Sequence, residues 1–553
     1  MCKNIWKNLN ECESFKRLTC LAVPRIASIL KSEDGPARVK RYSASIIDGL
    51  HYNYAAKKVD EKILATLQDL SDEQALVKKY ECLLQGELIN TGEKRLVLHH
   101  LTRHLCSDET GNGDGPCNGD ASSSNAQNTS LKDILAFYQR EAKKVREFTD
   151  RIHSRSILSS SAKPFTDVVQ IGIGGSDLGP RSLYLALKEY AHQMKEEKMR
   201  GHFISNIDPE DAMSTLSRLD VSSTLFIIVS KSGTTEETLA NEKLLLKFLE
   251  TQDIKEPKKN ILVVTSESSP LSHDASYLQS FFIDDYIGGR YSSSSCCGLL
   301  LLSLCFGNAL LSSFLQGAHL ADVGAKNPKI RENAALMDAL IGVYESSVLH
   351  YPATAVLPYS QALSRFPAHL QQLDMESSGK QVNRNFQYID YPTGQLLFGE
   401  PGTNGQHSFY QFLHQSRQVV PLQFIAFKES TISCLSQDRD PQLCTCIREN
   451  HKKLLTNLIA QIYAFAVGKE DSENANKCFE GERPSSLIYG DKLDGKMLGA
   501  LLAHFENKVM FQGFLWNINS FDQEGVQLGK MLAKKIAKGE MDPSCEAYYK
   551  LLL

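Results

Sequence analysis

A chain of 553 residues, 42% hydrophobic and 23% charged, is long enough for more than one core and has the composition of an ordinary globular protein. Its net charge of −4 leaves no basic excess, which argues against nucleic acid or an anionic membrane surface as a partner. The fourteen cysteines are scattered, with no C-x-x-C pair and no histidine cluster at zinc spacing, so reduced thiols and no metal are expected.

The first thirty residues mix charges (KNIWKNLNECESFKR) with one short apolar stretch, LTCLAV, which does not read as a secretory signal, and a cytoplasmic location is expected. Residues 107–130 contain no large apolar side chain and are predicted to form a flexible surface loop, because they have too little to bury to offset ordering. From Leu131, the stretch LKDILAFYQREAKKVREFTDRI has the apolar spacing of a helix. The runs TDVVQI, GHFIS, STLFIIVS and NILVVT then follow at strand length, with amphipathic stretches such as TTEETLANEKLLLKFLE between them. Apolar runs without strict alternation, interleaved with helices, indicate a parallel sheet covered on both faces.

Residues 296–318 carry no charge and approach the length of a membrane span, but Asn308, Gln316 and three serines interrupt them, which fits one buried helix better. The runs ATAVLPYS (353–360) and VVPLQFIAF (419–427) predict further strands, and 449–467 a long helix. The tail 523–553 reads as a helix, on which Gln523 and Lys530 would lie two turns apart on one face. The expected architecture is α/β, with two lobes of mainly parallel sheet covered by helices and a C-terminal helical arm. Its units would be an N-terminal helical part (1–130) packing on the large lobe, a small lobe (131–318), the large lobe (319–522) and the arm (523–553).

Several of these strands end in small polar residues, and ligands of such sheets sit at the carboxyl ends of the strands. The first loop, IGIGGSDLGP (171–180), has Asp177 where a dinucleotide fingerprint needs its third glycine, and no Gly-Lys-Ser/Thr follows, so nucleotide loops of both common kinds fail. Gly172, Gly174 and Gly175 remain as a tight turn that presents Ser176 at a helix start. The second loop, Ser230-Lys231-Ser232-Gly233-Thr234-Thr235, offers four hydroxyls besides one lysine and one further backbone glycine, more than an N-cap by Thr234 or Thr235 requires. Together the loops suit one small phosphorylated molecule. Beyond them, Glu376 in QQLDMESSGKQVNR and His407 in EPGTNGQHSFYQ can move protons near neutral pH, and Arg290 in GGRYSSSS can stabilise an oxyanion.

The order of GELINTGEKRLVLHHLTR, IGIGGSDLGP, SKSGTTEET, GGRYS, LDMESSGKQVNR, GEPGTNGQHSFYQ, GERPSS and FLWNINSFDQEGVQLGK over residues 50–530 resembles the glucose-6-phosphate isomerase (phosphoglucose isomerase) family. The resemblance implies two lobes of the sugar-isomerase type, an intertwined homodimer, and cofactor-free interconversion of glucose 6-phosphate and fructose 6-phosphate through a cis-enediol. It implies that Ser176, Ser230, Lys231, Ser232 and Thr235 hold the phosphate, that Glu376 is the base, and that Arg290 stabilises the intermediate. His407 and Lys530 would open the ring, Glu237 would orient the histidine, and Gly289, Gln372 and Gln523 would line the substrate. The family has His407 reach the partner's site. This sequence departs from the pattern at Gln527, usually glutamate, at Glu524, usually aromatic, and in the 107–130 insertion. A sugar-phosphate-binding protein without chemistry would lack some of Glu376, His407, Arg290 and Lys530, and all four are present. Whether mannose 6-phosphate is also accepted depends on loop geometry that the sequence does not show.

Overall fold

The computed structural model describes residues 5–106, 130–432 and 440–553, so the predicted loop at 107–130 lies outside the described residues apart from Ser130. Ser130 is the N-cap of the helix Leu131–His153, its hydroxyl accepting from the Asp133 amide in a capping box.

Two strands precede that helix: β1 (Ser43–Ile47) and β2 (Leu50–Asn53), an antiparallel pair. Then come β3 (Asp167–Ile171), β4 (Arg200–Ile204), β5 (Thr224–Val229), β6 (Ile261–Thr265) and β7 (Gln279–Phe282), which form one five-stranded parallel sheet in the order β4-β3-β5-β6-β7. Every residue of β3, β5 and β6 is buried, as apolar runs without alternation require. Successive side chains go to opposite faces. Val168, Leu225, Ile227 and Leu262 pack with Leu183, Leu187 and Leu300 on one side. Val169, Phe226, Ile228 and Val263 pack with Leu245 and Leu249 of the helix Glu236–Thr251 on the other. Burial of each such side chain stabilises by about 1.5–3 kcal/mol, so both helical layers are held on by the same strands.

The second sheet contains β8 (Ala353–Pro358), β9 (Leu396–Phe398), β10 (Leu422–Glu429) and β11 (Ser485–Lys492), parallel to one another in the order β11-β10-β8-β9. β2 joins β11 antiparallel and places the hairpin at the edge. The helix Gly495–Leu515 is buried on all sides, as a core helix of a large protein is. The architecture is therefore α/β, with mainly parallel sheets under helices and a helical C-terminus. Among the described residues no helix is long and apolar enough to cross a membrane.

Three expectations are corrected. The 296–318 segment is not one helix but two, Cys296–Phe306 and Asn308–Gly324, broken at Gly307 with φ +83° and ψ 168°. That backbone region is open essentially to glycine alone. The tail is likewise split: a 3-10 turn at Glu524–Val526, then helices Gln527–Ala537 and Pro543–Leu552. Gln523 stands outside the helix that carries Lys530, so the two do not share a helical face. Finally, Cys12, Cys296, Cys297 and Cys305 are free thiols, but Cys82 is disulfide-bonded. Pairing depends on the closeness of two Cβ atoms in space, which spacing along the chain does not reveal.

At Gly307 an added Cβ would meet nothing nearer than the Lys198 Cε at 3.8 Å. Gly307→Ala therefore isolates backbone strain and is expected to lower the unfolding free energy by about 1–3 kcal/mol in urea titration; an unchanged midpoint would contradict the strained break.

Candidate active site

The loops after β3 and β5 meet where the strand order of the first sheet reverses, since β3 has β4 on one side and β5 on the other. After β3 the chain turns through Gly174–Ser176 into the helix Leu178–Gln193. Asp177 pairs with Arg181, Nε donating to Oδ1 at 2.8 Å. Its carboxyl is pushed up by burial, with Arg181 opposing. The acid that breaks the nucleotide pattern thus serves the helix's own first turn.

After β5 the hydroxyls of the second loop bond mainly to one another. Ser230 donates to Thr235 at 3.0 Å, and Thr234 to Ser232 at 3.0 Å. Thr235 occupies the N-cap of the helix Glu236–Thr251 but makes no side-chain cap bond. The capping reading of this loop therefore fails, and neither threonine satisfies the first amides of that helix. Gly233 has φ +64°, and a Cβ there would lie 2.0 Å from the Ser269 Oγ of the loop after β6. The Lys231 ammonium donates to the Ile287 carbonyl at 3.0 Å and lies 3.9 Å from Asp285. Burial holds it below the usual lysine range.

Arg290 sits in the turn Gly289–Ser294, whose backbone is pressed against the first loop: a Cβ on Gly175 would fall 2.2 Å from the Gly289 carbonyl. The guanidinium is 1% exposed. Its Nε donates to the Ser377 hydroxyl at 2.7 Å, and its Nη2 to the carbonyls of Ser520 at 2.6 Å and Asp522 at 3.0 Å. Its Nη1 lies 3.2 Å from the Glu376 Oε2 and 3.5 Å from the Gln523 Oε1. The contact with Glu376 is an ion pair without hydrogen-bond alignment, and that buried Oε2 has no hydrogen-bond partner among the described residues. Glu376 and Gln372 are one turn apart on the helix Phe366–Ser378 and so share a face. A Cβ on Gly174 would lie 3.2 Å from the Gln372 Nε2, which puts this face beside the first loop.

The fold thus gathers Ser176, Gly289, Arg290, Gln372, Glu376 and Gln523, and sets Ser230, Lys231, Ser232 and Thr235 in the neighbouring loop. Among the described residues no hydrogen bond or ion pair joins His407, Glu237 or Lys530 to these groups, although Glu237 lies in the first turn of the helix that Thr235 begins. His407 is exposed at the end of the short helix Gly402–Gln406, and among the described residues no hydrogen bond or ion pair links it to Glu237 or Glu376. Lys530 is exposed on the helix Gln527–Ala537, whose Lys534 comes within 3.9 Å of Glu236. Sequence reasoning missed Ser377, the Ser520 and Asp522 carbonyls, and Lys380, which donates to Asp522 Oδ1 at 2.5 Å. The serine after Glu376 and the NSFD run before Gln523 were the available signals. Among the described residues no cluster of three or more His, Cys, Asp or Glu is placed to hold a metal.

A family model for phosphoglucose isomerase matches residues 53–549. The chain is 54% identical over 554 residues to the glucose-6-phosphate isomerase of Treponema denticola, covering 99% of this chain and 100% of the relative. It is 46% identical over 557 residues to that of Borreliella burgdorferi, covering 99% of each. A crystal structure of a glucose-6-phosphate isomerase from Chlamydia trachomatis aligns with a TM-score of 0.85 at 37% identity, covering 99% of both chains.

Lys231→Ala removes the one cation of the second loop and is expected to weaken binding of inorganic phosphate about tenfold or more, the scale of a charge-assisted hydrogen bond. Titration calorimetry reads this directly, and wild-type affinity would remove the loop from the anion site.

Proposed function

The chain belongs to the phosphoglucose isomerase family, and from that premise we propose which of its side chains perform the reaction. The reaction is the interconversion of D-glucose 6-phosphate and D-fructose 6-phosphate, an aldose–ketose isomerisation of glycolysis and gluconeogenesis. One observation carries the residue assignment: the half-buried Glu376 carboxylate, its Oε2 fully enclosed, lies 3.2 Å from the fixed Arg290 guanidinium, on a helix face beside the first loop.

In this reading the phosphate rests on Ser176, Ser230, Lys231, Ser232 and Thr235, against the uncapped start of the helix Glu236–Thr251. That grip fixes the far end of the sugar, so that C1 and C2 meet Glu376 in a reactive pose. Glu376 takes the proton from C2 of the open-chain aldose and returns it to C1. Removing the proton leaves negative charge on the enediol oxygens, and Arg290 neutralises it. Five polar contacts hold the guanidinium in place, so no reorganisation is needed when charge develops. Gly289, Gln372 and Gln523 line the sugar.

Ring opening falls to His407 and Lys530, with Glu237 orienting the histidine. The exposure of His407 and Lys530 supports a homodimer in which His407 enters its partner's site. The helix Gln527–Ala537 has no buried residue and exposes Leu528, Met531 and Leu532, apolar surface that a second copy would cover. We assign the chain to four units, 1–130, 131–318, 319–522 and 523–553, and to the cytoplasm. The two sheets support the two lobes, with the β1–β2 hairpin of the N-terminal unit attached to the larger.

Glu376→Gln is expected to lower kcat by about 10²–10⁴-fold, the usual scale for loss of a general base, and to abolish solvent isotope exchange at C2 while a hexitol phosphate still binds. Exchange at the wild-type rate would sink the proton-transfer role. His407→Ala is expected to impair cyclic substrate far more than an open-chain analogue, as paired initial-rate assays would show; equal losses would contradict ring opening by this residue.

A further inference from the structure

The second sheet repeats the topology that places the first site. From β8 the chain passes to β9 on one side and then returns to β10 on the other, so the strand order reverses between β8 and β10. In open α/β sheets, the crevice at the carboxyl ends of the two strands flanking such a reversal is where ligands bind. A cavity of about 540 Å³ lies there. It is lined by Tyr359, Ser360, Gln361, Ala362 and Ser364, immediately after β8, and by Glu429–Ile432, at the end of β10 and just beyond it. Its third wall is the far half of the helix Leu178–Gln193, through Leu185, Lys188 and Glu189.

The lining has the chemistry of a hydroxylated anion site. Ser360, Ser364 and Thr431 present hydroxyls, Lys188 an ammonium, and Glu189 and Glu429 carboxylates that accept from sugar hydroxyls. Among the described residues the side chains of Lys188, Ser364 and Thr431 make no hydrogen bond or ion pair, so their polar groups remain available. Tyr359, Phe427 and Leu454 supply an apolar wall for the C–H face of a sugar. His451 is fixed at the rim, its Nε2 3.0 Å from the Lys428 carbonyl.

We propose that this cavity is a second small-molecule site, for a phosphorylated polyol, separate from the site around Glu376. Two of its walls run directly into that site. The helix bearing Lys188 and Glu189 starts from the Ser176 loop, and the Ser360–Ser364 turn leads into the helix bearing Gln372 and Glu376. A ligand that bridges Lys188 and Ser364 would fix the spacing of the helices that carry the two halves of the catalytic pocket. The assignment rests on the switch point of the second sheet and the helix Leu178–Gln193 packed over it, not on the chemistry at Glu376.

Titration calorimetry of the full chain with sorbitol 6-phosphate, which has no carbonyl to isomerise, tests it. Two sites per chain are expected, with Ser364→Trp removing one while kcat/KM for fructose 6-phosphate stays within about twofold, as for independent sites. Lys188→Ala, an exposed change that leaves the core alone, is expected to weaken the second site about tenfold. Parallel titrations with inorganic phosphate and with sorbitol show which half of the probe carries the affinity. One site in the wild type, or two that both variants leave intact, would overturn the proposal, and neither result bears on whether the chain isomerises fructose 6-phosphate.

Discussion

The buried guanidinium of Arg290 is the constraint on which the geometry of the candidate site depends. Arginine keeps its charge at any physiological pH and presents its donors in a planar fork. Here the fork reaches two separate pieces of chain: Ser377 and Glu376 on one helix, and the stretch after another that holds the Ser520 and Asp522 carbonyls and the Gln523 side chain. Its own turn is locked to the first loop by the backbone contact of Gly289 with Gly175. Moving any of these elements would strand a buried charge, which costs several kcal/mol. The Glu376 carboxylate, the loop that presents Ser176 and the end of the core helix are thereby held as one unit.

Much of the first sheet was legible, because a strand covered on both faces must be apolar along its whole length. TDVVQI, STLFIIVS and NILVVT have that property, and Val168 and Val169 facing different cores show why alternation is absent. The second sheet was less legible. β9 has three residues, and β11 carries Ser485, Ser486 and Asp491 at its ends, so neither stands out from its surroundings. The N-terminal hairpin pairs with β11 more than 400 residues away, and no local pattern encodes such a partner.

At the site, sequence reasoning found the groups with chemistry and missed those that hold them. Glu376 and Arg290 are titratable or charged and invite attention. Ser377 and the Ser520 carbonyl carry no such mark, yet they orient the arginine. The reading of Gln523 and Lys530 on one helix failed because seven-residue spacing matters only where the helix is continuous, and here it starts at Gln527. The groups assigned to proton transfer and to ring opening are also placed differently: Arg290 is buried and Glu376 half-buried, whereas His407 and Lys530 stand at the surface.

Gly307 bears on a different problem, the traffic of the newly made chain. The uncharged stretch 296–318 approaches the length at which a continuous helix would match the roughly 30 Å of a bilayer's hydrocarbon interior. The break ends one helix of 11 residues and starts another of 17 that runs on to Gly324, about 16 and 26 Å long at 1.5 Å per residue. A backbone angle that only glycine tolerates therefore lets the protein build an apolar centre from sequence hydrophobic enough to rival a membrane anchor, while denying that sequence the unbroken rod an anchor requires.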